Sequence, residues 1–557
     1  LVFDVGHQSY PHKMLTGRRE QMSTIRQLGG IAGFPKPSES VHDAFIAGHA
    51  SNSVAVAVGM ARARDMLGED YRVLALIGDG ALTGGLAYEG LSTAGQSRGQ
   101  LLVILNDNGM SITKNVGGVA EHLARQRLKP QYLTFKKYYR KVMNATWFGR
   151  KIYRVTHRLK KAVKESLLPS SLFENMGFTY LGPVNGHDLR ELTEILRYAR
   201  DLKEPVLLHV RTIKGKDFTP AEENPDAYHG VSPFDPETGE PLKQGRASFS
   251  SVFGREVARL AREDPRVCAV TAAMQTGTGL DYFALQFPDR FFDVGIAEGC
   301  AVSMAAGMAK QGAVPVVAVY STFLQRAYDM LLHDVALDRL HVVLAVDRAG
   351  LVGEDGETHQ GVFDVSYLNS VPGMRVYAPA NFAELKAMLE EAVLRWDGPA
   401  AVRYPRGGEG EYREDSGRAP AAVLRRGSHI TLVSYGVEIN DVLQAAQLLE
   451  ERGVEAEVVK LNIITPLDAA PVLDSVRRTG ALLVAEDSVS AGSVGERLAC
   501  ALEQAGISAR VALCSSGDTF TPHGSVGELK RLLELDGAGL AQRAMEVLRF
   551  DKTAAGC

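Results

Sequence analysis

Two short motifs carry the side chains best suited to bind a metal. Gly78-Asp79-Gly80 and Asn106-Asp107-Asn108-Gly109 each follow an apolar run rich in Val, Leu and Ile. Such runs are typical of buried parallel strands, whose carboxyl ends carry the ligand sites of open α/β sheets. The carboxylate of Asp79 and the amide oxygen of Asn108 suit Mg²⁺, which shares oxygen ligands with a diphosphate. Two ordinary turns after strands are the alternative for a Gly-Asp-Gly motif taken alone.

The first residues of the chain hold a second group of reactive side chains. The run Asp4-Val-Gly-His7-Gln-Ser-Tyr10-Pro-His12-Lys13 contains two histidines, a lysine and a tyrosine. Its glycine and proline predict a loop, from which these side chains can converge on a ligand. Histidine transfers protons near neutral pH. A pair of loop histidines taken alone is more often a surface feature.

Three α/β regions must position these residues. A chain of 557 residues is too long for one hydrophobic core. Apolar strand patterns alternate with helical patterns over residues 1–230, 249–408 and 426–557, which predicts doubly wound, mostly parallel sheets. Residues 220–248 and 407–420 are rich in Gly and acids, as expected of exposed linkers.

Several elements are predicted with explicit bounds. In the third region we find no group of side chains that resembles a site, and we interpret His523-Gly524 as a turn. The predicted strands are 73–77, 101–105, 206–210, 267–271, 314–320, 341–346, 429–434, 456–461 and 482–485, and the predicted helices include 51–66 and 89–96.

Composition describes an ordinary soluble protein. Hydrophobic residues make up 45% and charged residues 23%, and no apolar run reaches the length of a membrane span. The five cysteines are scattered without metal-binding spacing, which favours reduced thiols in a cytoplasmic protein. The chain begins at Leu1 and runs at once into a motif. We therefore expect a fragment without its own amino terminus, which leaves a targeting peptide open.

One block of the chain is strongly basic. Residues 125–164 contain fourteen Lys and Arg but no Asp or Glu, interleaved with aromatic residues. Such a block could bind nucleic acid or an anionic membrane. A helical excursion near 122–165 with a solvated charged face is the favoured interpretation, so we expect neither nucleic acid nor membrane as a partner.

The run DxGHQxYxHKxLTGR at residues 4–18 resembles the 1-deoxy-D-xylulose-5-phosphate synthase family, and transketolases proper do not carry it. The likeness spans essentially the whole chain. It implies a transketolase-type fold with a truncated pyrophosphate-binding domain (1–230), a pyrimidine-binding and substrate-phosphate domain (249–408) and a C-terminal domain (426–557). The other matching runs are Gly48–Ser51, Gly78–Gly80 with Asn108, Asp293–Glu298, Tyr320–Asp329, Asp347–Gly350, Asp355–Gly361 and Arg403–Gly407.

The resemblance also implies the reaction. The family condenses pyruvate, with decarboxylation, and D-glyceraldehyde 3-phosphate into 1-deoxy-D-xylulose 5-phosphate through a thiamine-bound enamine. This step opens the methylerythritol-phosphate isoprenoid pathway and supplies thiamine and pyridoxal synthesis. Thiamine diphosphate and Mg²⁺ are the expected cofactors, and a cytoplasmic homodimer is the expected form. The family's amino-terminal segment, which supplies another active-site histidine, is expected to be missing here.

Residue roles follow from the resemblance position by position. Glu298 would hydrogen-bond the pyrimidine N1′ and favour its imino tautomer, although an acid at a helix start is also favoured by the helix dipole. Asp79, Asn108 and the carbonyl of Met110 would bind Mg²⁺. The other expected cofactor contacts are His7, Gly48, His49, Ala50, Gly80, Ala81, Phe218, Ile296 and Phe323, and Phe218 stands where some relatives have tyrosine.

The substrates would meet a further set of side chains. His359 and His7 are candidates for proton transfer to substrate oxygens, with Asp355 orienting His359. Arginine guanidinium groups match phosphate oxygens. The expected phosphate contacts are Tyr320, Arg348 and Arg406, and Arg326, near them in the same motifs, is expected to be catalytic.

Two rival functions stay open at the level of sequence. Transketolase and the E1 component of a 2-oxo-acid dehydrogenase would share Asp79, Asn108 and Glu298, but the runs GHQSYPHK and GEDGETHQG fit neither. The second rival is a binding protein on an inactive thiamine fold, using the basic block to hold RNA or lipid. The intact Asp79, Asn108 and Glu298 argue against it.

Overall fold

The computed structural model describes residues 1–97, 99–110, 172–230, 233–242 and 247–549. The chain divides into two compact units. The first unit comprises Leu1–Ser9 and Phe34–Lys243, and the second comprises Tyr10–Gly33 and Gln244–Cys557. The basic block 125–164 and the helical excursion predicted near 122–165 lie outside the described residues.

The first unit is built on a five-stranded parallel sheet with strand order β1-β2-β3-β5-β4. Its apolar runs form strands that bury alternate side chains in β2 and β3 and nearly all side chains in β5. The strands are β1 Val2–Phe3, β2 Leu74–Gly78, β3 Leu102–Asp107, β4 Thr179–Asn185 and β5 Val206–Arg211. The helices are Ser53–Leu67, Gly85–Ser97, Leu172–Asn175, Leu189–Arg200 and Thr219–Glu223, with a 3₁₀ turn at Ala81–Thr83.

A seven-stranded sheet forms the first half of the second unit, with strand order β15-β10-β11-β9-β8-β6-β7. All its strand pairs are parallel except β15 on β10. The strands are β6 Val267–Thr271, β7 Phe291–Asp293, β8 Val314–Tyr320, β9 Val343–Asp347, β10 Arg375–Tyr377, β11 Ala400–Tyr404 and β15 Ile463–Thr465. Strand β15 thus comes from the third predicted region of the chain.

A five-stranded sheet with strand order β12-β14-β13-β16-β17 forms the other half of that unit. Only β12 runs antiparallel, against β14. The strands are β12 Ala421–Arg425, β13 Ile430–Tyr435, β14 Ala456–Leu461, β16 Ala481–Ala485 and β17 Arg510–Cys514.

Helices precede, connect and follow the strands of the second unit. They are Tyr10–Lys13, Phe249–Glu263, Asp281–Gln286, Glu298–Lys310, Ser321–Leu324, Tyr328–Met330, Asp364–Asn369, Phe382–Leu394, Ile439–Glu450, Ala470–Thr479, Val494–Gln504, Val526–Leu532 and Gly537–Arg549. The 3₁₀ and π segments are Met14–Arg18, Arg19–Thr24, Pro288–Arg290, Gln325–Ala327, Leu331–Ala336, Gly356–Thr358 and Gly436–Glu438. Within the described part of the chain, no helix has the length and apolarity that a membrane crossing requires.

The predicted α/β class with doubly wound, mostly parallel sheets is confirmed. Strands β6, β8 and β14 begin and end where the sequence predicts, because each is buried along its whole length and therefore reads as a continuous run. Strand β4 was not predicted. It contains the pair Gly182-Pro183, where its register against β5 shifts, so its sequence lacks a clean strand pattern.

One local expectation is incomplete and another is wrong. The described part of residues 220–248 is largely exposed, as predicted, but the rings of Tyr228 and Phe234 pack with that of Phe218, with centroids 5.4 to 5.8 Å apart. The last four residues of the predicted loop at 4–13 instead form the helix Tyr10–Lys13, and Lys13 is completely buried. Proline is well tolerated in the first turn of a helix, so Pro11 does not prevent this.

Candidate active site

The Asp79 and Asn108 motifs meet at the carboxyl edge of the first sheet, where β2 and β3 lie side by side. The buried Asp79 carboxylate accepts the Gly109 N–H at 2.8 Å and the Asn108 N–H at 3.4 Å. The Asn108 side-chain oxygen accepts the Met110 N–H at 3.0 Å. Carboxylate, amide and peptide oxygens form a hard donor set of the kind that Mg²⁺ binds. Among the described residues, no three His, Cys, Asp or Glu side chains form an alternative metal cluster.

Asp4 joins the loop of Gly48, His49 and Ala50 to this edge. Its carboxylate accepts the Ser51 N–H at 2.7 Å and the Ser53 N–H at 3.1 Å, at the start of the helix Ser53–Leu67. The Ser51 hydroxyl donates to the Ala81 carbonyl at 2.7 Å, just after Gly80. The sequence motif contained Asp4, but we gave it no role. The structure shows that it positions the loop at a helix N-terminus, which favours anions.

His7 lies in a basic cluster that the sequence did not reveal. Its ring centroid is 4.9 Å from that of His229, whose Nδ1 is 3.3 Å from the Lys214 ammonium. Burial lowers the pKa of His229 to about 3, with the charges of His7 and Lys214 adding to the effect. Burial also lowers the pKa of Lys214, against the opposing charges of Asp226 and Asp79. His229 was missed because residues 220–248 were interpreted from their composition as a linker, and Lys214, just before that segment, was given no role.

Glu298 is the first residue of the helix Glu298–Lys310, after strand β7, and is only 3% exposed. Its carboxylate lies 3.8 Å from the guanidinium of Arg326. Burial raises the pKa of Glu298, and the positive charge of Arg326 opposes this rise. Ile296 is half-buried in the loop before the helix. An acid in this environment holds a proton more readily than one in water.

Tyr320 ends strand β8, and the Arg348 guanidinium lies 3.6 Å above its ring. The Phe323 ring follows with its centroid 5.8 Å from that of Tyr320. Burial raises the pKa of Tyr320 to about 12, so its hydroxyl stays a hydrogen-bond donor. Gly277 lies against the Tyr320 hydroxyl, because a Cβ on Gly277 would lie 1.7 Å from it. Sequence reasoning did not find Gly277.

Asp355 lies among several charged side chains. Arg26 hydrogen-bonds it, and Arg406 lies 3.6 Å away. Burial would raise the pKa of Asp355, but the charges of His359, Arg26 and Arg406 prevail and lower it. Arg26 also donates to the Tyr10 hydroxyl at 3.2 Å. It was missed because it is 329 residues from Asp355 in sequence and belongs to no recognisable motif.

His359 completes this group. Its Nδ1 is 2.8 Å from the Thr358 hydroxyl, and its ring meets the ring of Phe323 edge-on at 5.6 Å. Burial lowers its pKa to about 4, with Asp355 opposing and Arg26, Arg348 and Arg406 adding to the effect. The imidazole is therefore neutral at physiological pH and can accept a proton.

The predicted site residues thus fall into two groups, one in each unit. In the first unit they are His7, Gly48, His49, Ala50, Asp79, Gly80, Ala81, Asn108, Met110 and Phe218. In the second they are Ile296, Glu298, Tyr320, Phe323, Arg326, Arg348, Asp355, His359 and Arg406. Most of the second group follows the carboxyl ends of β7, β8, β9 and β11, the usual ligand edge of such a sheet.

Comparison with known proteins covers the chain almost end to end. Residues 1–212 match the family described as 1-deoxy-D-xylulose-5-phosphate synthase. Residues 246–409 match the pyrimidine binding domain of transketolase, and residues 419–540 match its C-terminal domain.

Individual relatives agree with the family matches. The chain is 48% identical over 554 residues to the 1-deoxy-D-xylulose-5-phosphate synthase of Symbiobacterium thermophilum, covering 98% of this chain and 85% of that protein. It is 48% identical over 532 residues to the enzyme of the same name from Pelotomaculum thermopropionicum, covering 94% and 83%. A solved transketolase structure from Campylobacter jejuni is 19% identical with a TM-score of 0.46, covering 98% of this chain and 90% of that chain.

Proposed function

This chain belongs to the 1-deoxy-D-xylulose-5-phosphate synthase family of transketolase-class transferases, and from that premise we propose its reaction. It joins pyruvate, with loss of CO₂, to D-glyceraldehyde 3-phosphate and forms 1-deoxy-D-xylulose 5-phosphate. The observation that carries the proposal is the carboxyl edge of the seven-stranded sheet. A buried acid, Glu298, follows strand β7 there, and two arginines that influence His359, Arg348 and Arg406, follow the neighbouring strands β9 and β11.

Thiamine diphosphate and Mg²⁺ fit the residues present. When bound, thiamine diphosphate supplies the carbon nucleophile and the electron sink for the loss of CO₂. Asp79, Asn108 and the Met110 carbonyl would hold the metal, since the Asp79 carboxylate accepts the Gly109 N–H and the Asn108 side-chain oxygen accepts the Met110 N–H, which holds these residues at one edge. The loop Gly48–Ala50 and its neighbours Gly80 and Ala81 would receive the diphosphate, with His7 and Phe218 as further contacts.

Glu298 would hold a proton at N1′ of the pyrimidine ring. Its raised pKa supports this role, because a carboxyl group that keeps its proton can share it with a ring nitrogen. Arg326 would limit how far the pKa rises. Ile296 and Phe323 would contact the ring itself.

The aldehyde substrate would be bound through its phosphate. Arg348 and Arg406 would form charge-assisted hydrogen bonds with the phosphate oxygens, and Tyr320 would add its hydroxyl. The neutral His359 would take up or return a proton at a substrate oxygen, with His7 as the second proton-transfer candidate. Asp355 would keep Arg406 in place and orient His359.

Product identification tests the proposal. The protein is incubated with thiamine diphosphate, Mg²⁺, [2-¹³C]pyruvate and D-glyceraldehyde 3-phosphate, and the products are followed by NMR together with CO₂ release. We expect CO₂ release that depends on the aldehyde and a labelled deoxyketose phosphate. Ketol transfer between sugar phosphates without CO₂ would show a transketolase instead. A protein that makes no product, and whose unfolding temperature does not respond to thiamine diphosphate with Mg²⁺, would be a binding scaffold.

We also propose the cellular role expected from the family. The product would feed isoprenoid, thiamine and pyridoxal synthesis in the cytoplasm, and the protein would act as a homodimer. Complementation of a strain that lacks this activity tests the first part, and light scattering during size-exclusion chromatography tests the second. A monomer that remains fully active would refute the dimer.

A further inference from the structure

His523 lies between the two loops that bring Arg26 to Asp355. It is only 6% exposed, although the sequence suggested no more than a turn. Its Nε2 is 3.0 Å from the carbonyl oxygen of Gly30. Because a carbonyl only accepts, the imidazole must donate a proton from Nε2. His523 is therefore tied to the segment Tyr10–Gly33, which carries Arg26.

Backbone hydrogen bonds close the Arg26 loop, so a hydrogen bond to one of its residues restrains the whole loop. The Arg26 N–H donates to the Ile31 carbonyl at 2.8 Å, and the Gly30 N–H donates to the Gln27 carbonyl at 2.8 Å. Arg26 has a φ of 65°, an uncommon conformation for a residue with a side chain. Such a conformation persists where the surrounding contacts enforce it, and the hydrogen bond from His523 to the Gly30 carbonyl is one contact on this loop.

His523 also packs against the loop that carries Asp355. Gly356 has a φ of 75°, and a Cβ on it would lie 2.9 Å from the Cβ of His523. The buried Gln360 donates to the carbonyl of Pro522 at 3.1 Å and accepts the Val352 N–H at 2.7 Å. The loop around His523, between β17 and the helix Val526–Leu532, therefore contacts the Asp355 loop on one side and the Arg26 loop on the other.

We propose that His523 is a positioning residue that holds the Arg26 loop against the Asp355 loop and so keeps Arg26 hydrogen-bonded to Asp355. It touches neither reactants nor cofactor, and acts only through Arg26. The role rests on the proposed function insofar as Arg26 and Asp355 serve catalysis. The third region of the chain, where the sequence suggested no site, thereby takes part in ordering the site.

Paired variants test this role. His523→Leu removes the donor, whereas His523→Gln keeps an N–H that can reach a nearby carbonyl. His341→Leu is the matched control, since His341 Nε2 donates to the Ala392 carbonyl at 2.8 Å in the same unit. Each His523 substitution is also made in an Arg26→Ala background. The readouts are kcat/KM for D-glyceraldehyde 3-phosphate and hydrogen–deuterium exchange in peptides covering residues 24–33.

We expect His523→Leu to lower kcat/KM about tenfold, the scale set by the loss of one hydrogen bond, and to speed exchange in residues 24–33. His523→Gln should restore kcat/KM to within about threefold. In the Arg26→Ala background, His523→Leu should change kcat/KM less than about twofold, because residues acting through one another are not additive. His341→Leu should leave exchange in residues 24–33 unchanged.

Equal losses in both Arg26 backgrounds, or unchanged exchange in His523→Leu, would overturn the proposal. Exchange does not depend on turnover, so it separates the two claims. If the wild-type protein made no product but His523→Leu alone loosened residues 24–33, the proposed reaction would be wrong and the positioning role of His523 would stand.

Discussion

Replacing Glu298 with glutamine separates its chemical role from its structural one. The change keeps the size of the side chain and a hydrogen-bond donor, but removes the group that can exchange a proton. Glu298 is 3% exposed, and Arg326 at 3.8 Å is its charged partner. The partner is itself about a quarter exposed, so water can solvate it when the carboxylate is lost.

The expected effects on stability and activity have opposite signs. Burial raises the pKa of Glu298 above its usual 4.5, so the folded protein disfavours the ionised form. This cost appears as pH rises through the raised pKa, and glutamine does not carry it. We therefore expect Glu298→Gln to unfold at the wild-type temperature or above it at pH 8. Turnover should fall by about 10² to 10⁴, the usual range for losing a group that transfers a proton.

The assay compares kcat by CO₂ release with unfolding temperature by calorimetry, between pH 6 and 9. Glu438→Gln is the control, because Glu438 is equally buried and lies 2.8 Å from Lys530 in the same unit, and burial raises its pKa to about 7. It should keep kcat to within about twofold, since most effects of a distant substitution are on stability. Near-wild-type turnover in Glu298→Gln would refute the proton-sharing role. An equal loss in both variants would show that any buried charge change disturbs the site.

Two further substitutions probe the substrate-binding side chains, and a third probes the buried carboxylate of Asp347. Gly277→Ala would place a Cβ 1.7 Å from the Tyr320 hydroxyl and 2.9 Å from the attached ring carbon, so the ring must move. We expect the KM for D-glyceraldehyde 3-phosphate to rise about tenfold with that for pyruvate nearly unchanged, and steady-state kinetics showing equal KM changes would contradict this. Arg406→Ala should raise the KM for the aldehyde about 10- to 100-fold, as expected for a lost charge-assisted hydrogen bond. Arg406→Lys should raise this KM less. Parallel changes in the KM for pyruvate would count against a phosphate contact. Burial raises the pKa of Asp347 from 3.8 to about 6, so its ionisation destabilises the fold as pH rises through that window. Asp347→Asn should therefore gain up to roughly 3 kcal/mol over wild type between pH 4 and 7 in urea unfolding, and a constant difference would refute the buried-charge explanation.

The sequence predicted the parts of the fold whose signal is local. Strands such as β8 are apolar along their length, so their bounds follow from composition alone. The position of Asp79 and Asn108 at one sheet edge follows from the same reasoning, because both motifs end neighbouring strands. The resemblance added the roles of Glu298 and the arginines, which no periodicity could supply.

The remainder depends on contacts between distant segments. The proximity of Arg26 to Asp355 and of His523 to Gly30 arises from the packing of loops that share no pattern. His229 was hidden for another reason, since Pro, Gly and acidic residues around it mask a packed aromatic group. Tertiary packing of this kind overrides local composition.

Strand β15 has a consequence for how the chain can be cut. Ile463–Thr465 pairs antiparallel with β10 and so shields the edge of a sheet whose other strands all come from residues 267–404. A recombinant fragment ending near residue 408 would expose the backbone of Arg375–Tyr377, and uncovered strand edges invite association with other chains. The last 150 or so residues therefore protect the seven-stranded sheet from aggregation through its open edge. Any hybrid protein that exchanges this terminal portion must supply a replacement strand.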